Sequence, residues 1–139
     1  MIVTRRIRCQ TQGNNHVLDL TGRLAQEVAA SGVRHGLVVA FVTGSTAGLT
    51  TIEDEPGLVA DLKDLLDRLV PREAPYRHNR TEGDQNGHSH LRAALIGPSL
   101  VVPVEGGRMT LGAWQQVVLV DCDVRPRARE VVVQVMGEE

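Results

Sequence analysis

LVVPVEGGRMTLGAWQQVVLVDCDVRPRAREVVVQVM, residues 100–136, gives β signals from end to end. Leu100 to Val104 and Arg108 to Leu111 flank Glu105-Gly106-Gly107, which has the chemistry of a hairpin turn. Gln115 to Asp121 and Glu130 to Met136 alternate or run apolar, with Val124-Arg125-Pro126 between them, and read as two further strands. Upstream, Val3, Ile7 and Cys9 alternate with polar residues as a half-exposed first strand, and His16 to Leu20 follows the Gly13-Asn14-Asn15 turn as a second. Leu37 to Thr43 is nearly continuous and β-branched, the pattern of a central strand buried on both faces, and Ala47 to Ile52 resumes extended structure. Two helices interrupt this. Thr21 is placed to cap one through Ser31, closed by Gly32, and Leu58, Leu62, Leu65, Leu66 and Leu69 recur at helical spacing after Pro56. Residues 72–87 form the longest irregular stretch, and His90 to Ile96 makes a short helix before Gly97-Pro98. Segregated strands and helices without βαβ alternation predict an α+β fold: one domain over 1–139, a mostly antiparallel sheet core and two main helices.

The composition excludes several classes. At 139 residues and 42% hydrophobic content the chain can bury a core. Only Phe41, Tyr76 and Trp114 are aromatic and the net charge is −2, which argues against nucleic-acid stacking and against attraction to anionic membranes. No apolar run approaches bilayer length, and the expected location is the cytoplasm. Cys9 and Cys122 read as small buried residues. Trp114, at a strand start, reads as a packing anchor.

Chemistry concentrates in one segment. His78, Asp84, His88 and His90 fall within it, and His88-Ser89-His90 places both imidazoles on one face if extended. Three histidines in a loop have the composition of a zinc or magnesium site, and equally that of solvated loop residues. Gly44-Ser45-Thr46-Ala47 reads first as a turn or bulge and second as the hydroxyl and amide lining of a cleft. Glu53-Asp54-Glu55 is either an acid near a site or negative charge at the next helix N-terminus. Arg125, Arg127 and Arg129 alternate, equally as a bidentate phosphate site and as a charged strand edge.

Ser45 to Thr50, Glu53, Tyr76 to Asn79, Asp84 to Leu91, Gly97 to Ser99, Leu111 to Gln115, Arg127 to Arg129 and Gly137-Glu138 together resemble the YjbQ (UPF0047) family, in order and over nearly the whole chain. The resemblance implies an α+β fold, a homotrimer and a secondary thiamine-phosphate synthase activity. That activity joins a pyrimidine diphosphate to a thiazole phosphate and releases pyrophosphate. His78 and His90 match motif histidines, whereas Gly44 stands where many members carry histidine. On this reading His78, His88 and His90 hold the divalent metal. Glu53 is the acid/base, Arg127 and Arg129 stabilise phosphate charge, and Ser45, Thr46, Asp84 and Asn86 contact a phosphorylated small molecule. The competing reading is a non-catalytic metal- or ligand-binding homotrimer.

Overall fold

The computed structural model describes the whole chain, Met1–Glu139. Its strands are β1 (Ile2–Thr11), β2 (His16–Asp19), β3 (His35–Val42), β4 (Ala47–Ile52), β5 (Ser99–Glu105), β6 (Arg108–Met109), β7 (Gln116–Asp121) and β8 (Arg127–Glu138). Its helices are α1 (Thr21–Ser31), α2 (Pro56–Leu69), α3 (Arg77–Glu82) and α4 (Gly87–Ile96). The α+β class and the mostly antiparallel core are as expected, with four helices rather than two main ones and one short one.

A five-stranded sheet, in the order β1-β8-β3-β5-β6, faces a three-stranded sheet, β2-β7-β4, and every strand pair is antiparallel. Alternation on the long strands fills the space between the sheets. Val38 and Ala40 of β3 and Val131, Val133 and Val135 of β8 meet Val117 and Leu119 of β7, with Leu24 and Val28 of α1 in the same core. The opposite face of β7 presents Val118 and Val120 to Leu66 of α2, with Cys122 beside them and Ile96 of α4 against the cluster. The strand buried on both faces is therefore β7. The sequence assigned that place to β3, which is internal in its sheet but leaves Leu37 and Phe41 exposed at 40% and 44%. A continuous apolar run reports two apolar faces, and in β3 one of them has no layer over it within the chain.

Helix boundaries follow their terminal chemistry. Glu55 caps α2 by accepting from the Gly57 and Leu58 amides at 2.8 Å each, with Pro56 in the first turn. Thr21 is not the cap of α1. It is the first helical residue, its amide donates to Asp19 Oδ1, and its hydroxyl accepts from the Val117 amide, which ties α1 to β7. Within 72–87, expected to be irregular, α3 forms and ends on Gly83 in the left-handed region at φ 74°. Trp114 is not a packing anchor: it lies in the turn before β7, 76% exposed. No helix is long and apolar enough to cross a membrane.

Leu119 is fully buried where the sheets meet. Leu119→Ala should lower unfolding stability by about 2–5 kcal/mol in urea denaturation. An unchanged m-value would show that the folded state keeps its compactness.

Candidate functional site

The strand ends gather most of the buried charge. Arg129 of β8 donates from Nε to Asp121 Oδ2 at 2.7 Å and from Nη2 to Asp121 Oδ1 at 2.9 Å, a forked pair with side chains 5% and 0% exposed. Thr11 at the end of β1 donates to Asp121 Oδ2 at 2.5 Å, and the Asp123 amide donates to Oδ1. Thr46, just before β4, accepts from Arg129 Nη2 at 2.6 Å and donates to Asp123 Oδ2 at 3.1 Å, where Arg127 Nε also arrives at 2.9 Å. Burial alone would raise the Asp121 pKa. The hydrogen bonds from Arg129, Thr11 and the Asp123 amide override it and hold the carboxyl below its ordinary value. The expected phosphate clamp of Arg127 and Arg129 is thus a network whose bonds are largely taken by Asp121, Asp123 and Thr46. Arg129 Nη1 lies toward Gly44, where an added Cβ would sit 2.7 Å from it.

The second cluster is built by a tight helical pair. After α3 ends at Gly83, Gln85 turns the chain with φ 56°, and α4 begins at Gly87. A Cβ on Gly87 would press Tyr76 Cβ at 2.8 Å, so glycine lets the two helices close, and Asn79 Oδ1 accepts from the Gly87 amide at 2.9 Å. This brings His78 and His90 edge to face with ring centroids 4.6 Å apart, and His78 Nε2 donates to Asn86 Oδ1 at 3.0 Å. A cleft of about 580 Å³ opens there, lined by Tyr76, Arg77, His78, Arg80, His90 and Leu91.

His88 does not join the pair. One face holds both imidazoles only in an extended segment; the helix expected from His90 starts earlier, at Gly87, so residues two apart point to opposite sides. His88 is 2% exposed and its Nδ1 has no partner. Burial, then the nearby Arg92 and Arg72, push its pKa below the ordinary value, with Glu73 and Asp123 opposing. Asn86 is buried beside the pair, while Ser45 and Asp84 are exposed and bond no other predicted site residue. Glu53 is exposed at the far end of β4, where the Asp54 amide donates to Gln116 Oε1 and Gln115 Nε2 donates to Thr51 Oγ1. Sequence reasoning passed over Asp121 and Asp123 as site residues. A carboxylate closing an apolar strand and a second two residues beyond it demand partners once buried, and the alternating arginines are the available ones.

A model of the family described as UPF0047 protein YjbQ-like matches residues 5–138. The chain belongs to the UPF0047 family. A UPF0047 protein of Methanothermobacter thermautotrophicus is 35% identical over 137 residues, spanning 99% of this chain and 94% of its own length. One from Archaeoglobus fulgidus is 37% identical over 120 residues, 86% of this chain and 90% of its own. Among solved structures, a YbjQ-like protein of unknown function from Sulfolobus solfataricus matches with a TM-score of 0.94 at 30% identity, covering 99% of both chains. A hypothetical protein from Aeropyrum pernix matches at 0.90 and 34%, covering 98% of this chain and 99% of its own. The UPF0047 fold is shared over its full length, and none of these names assigns an activity.

Two substitutions separate the roles of the buried groups. Arg129→Ala leaves Asp121 charged and unpaired and should cost about 3–5 kcal/mol in denaturant unfolding at neutral pH. Arg129→Lys should recover only part of that, because an ammonium cannot make the forked contact. His88 behaves differently with pH. Its folded pKa lies below the unfolded value of about 6.5, so its contribution is complete above that value and is lost as pH falls through the folded pKa. Stability measured from pH 7 down to pH 5 should fall less steeply in His88→Gln than in the wild type.

Proposed function

We propose that this UPF0047 protein binds a phosphorylated small molecule in the cleft between α3 and α4. We further propose that its reaction there is the thiamine-phosphate synthase chemistry implied by the sequence resemblance. The observation that carries the proposal is the pairing of His78 with His90 in a cleft flanked by Arg77 and Arg80, with no carboxylate in its lining. Two guanidinium groups and two imidazoles favour a diphosphate over a neutral ligand. Joining a pyrimidine diphosphate to a thiazole phosphate asks chiefly that two substrates be held together while charge builds on departing pyrophosphate.

Of zinc and magnesium the imidazole pair suits zinc, since magnesium takes oxygen ligands; the His90 ring makes no hydrogen bond and the His78 ring uses only Nε2. Such an ion would supply positive charge to the leaving diphosphate. His88, sealed on the other side of α4, is not in that set. A homotrimer is part of the same proposal. It is supported by the uncovered face of the five-stranded sheet, where Leu37, Phe41 and Val101 are 40%, 44% and 57% exposed.

The competing reading, a binding trimer without turnover, draws its support from the same lining: within one chain no acid/base carboxylate faces the imidazoles. Isothermal titration with inorganic pyrophosphate tests the binding. Saturable heat is expected, and Arg77→Ala or Arg80→Ala should weaken it about tenfold, near 1.4 kcal/mol. No saturable binding, with and without added zinc or magnesium, would overturn the reading. Pyrophosphate release from the two thiamine precursors then separates enzyme from binding module.

A further inference from the structure

We propose that the loop of residues 44–46, with the free end of the Arg129 guanidinium behind it, is a binding site for one phosphate group. The site shares no residue with the α3–α4 cleft and does not depend on the reading of that cleft.

Three of the five N–H bonds of Arg129 are used inside the protein. Nε and Nη2 take the two oxygens of Asp121, and the second Nη2 proton goes to Thr46 Oγ1. Nη1 donates to nothing in the chain, although the side chain is only 5% exposed. Nor is that nitrogen sealed. The sealed side-chain atoms without partners are Asn15 Oδ1, His88 Nδ1 and Ser89 Oγ, so Nη1 keeps contact with solvent. The opening is at Gly44. A Cβ built there would sit 2.7 Å from Nη1 and 3.8 Å from Cζ, with no other atom within 4 Å. Glycine leaves a buried, permanently charged guanidinium open at one end.

The loop supplies further donors. Thr43, just after β3, spends its amide on the Glu130 carbonyl. The amides of Gly44, Ser45 and Thr46 have no acceptor, and the Ser45 hydroxyl makes no hydrogen bond. Thr46 is buried, and an unpaired amide there is costly until an acceptor arrives. Successive free amides are the makings of an anion-binding concavity. The nearby carboxylates are already matched. Asp121 holds Arg129 and Thr11, and Asp123 holds Arg127 and Thr46. Glu130 points to the opposite face of β8, where Arg6 and Arg8 meet it.

A donor set of guanidinium, amides and hydroxyl repels a cation and would be left unpaired by an apolar ligand. A phosphate group offers it three terminal oxygens, each able to take charge-assisted bonds.

Residue-resolved amide spectra test this, with inorganic phosphate as the probe and sodium chloride at matched ionic strength as the control. The Gly44, Ser45 and Thr46 amides should shift together and saturate with phosphate, and stay in place with chloride. Gly44→Ala, whose Cβ stands over Nη1, should weaken binding about tenfold with the rest of the spectrum kept. The backbone at Gly44 lies outside the left-handed region, so the substitution is free of that strain. Ser45→Ala, at an exposed position, removes one donor and should weaken binding about threefold, which keeps the test standing if Gly44→Ala disturbs the fold. Shifts that never saturate, equal shifts in chloride, or shifts confined to the amides of α3 and α4 would overturn the proposal. So would full affinity in both variants.

Discussion

The forked contact between Arg129 and Asp121 is the constraint around which the two sheets are arranged. Arg129 belongs to β8 in the larger sheet and Asp121 to β7 in the smaller one, so one buried ion pair fixes the offset of one sheet on the other. Thr11 and Thr46 complete the hydrogen bonding of the pair from β1 and from the entry to β4, which removes most of the cost of keeping the charges out of water. Apolar packing of valines between the sheets is tolerant of sliding. The polar lock is not, because each oxygen of Asp121 has a directional partner.

That lock also sets where α2 and α4 lie. They pack on the outer face of β7 around Val118, Val120 and Leu66. A second buried guanidinium, Arg92 of α4, holds them together by donating to the Val70 carbonyl and to Asp67 Oδ1, each at 2.9 Å. The first turn of α4, and with it His90, is thereby held against the strand ends. The imidazole pair stands on a scaffold fixed by two arginines that face away from the cleft.

Most of the architecture was legible because strand alternation, Pro56 and Gly32 each leave a local signature. What escaped was decided at a distance. The valine-rich runs of β3 and β7 look alike, and only the placement of α2 and α4 over one of them settles which is covered twice. His88-Ser89-His90 is compatible with strand or helix. The turn at Gly83 and the contact of Gly87 with Tyr76 tip it to helix, which breaks the triad of histidines into a pair and a buried single residue. Arg127 and Arg129 carry an evident chemical signal, but their partners Asp121 and Asp123 sit at the last residue of an apolar strand and just beyond it, where they read as its polar end. Trp114 followed the usual burial preference for large aromatic residues as an expectation and departs from it in the fold.

The turn between α3 and α4 contains Asn86-Gly87, a dipeptide whose asparagine ordinarily ages by cyclising: the glycine amide attacks the side-chain carbonyl and ammonia leaves. Here the Gly87 amide is committed to Asn79 Oδ1 and the Asn86 carbonyl oxygen to His78, so neither reacting group is free to swing toward the other. The bonds that pair the imidazoles therefore also protect the chain from spontaneous chemical damage. Aspartate or isoaspartate accumulating at position 86 in old protein would record how often this turn opens.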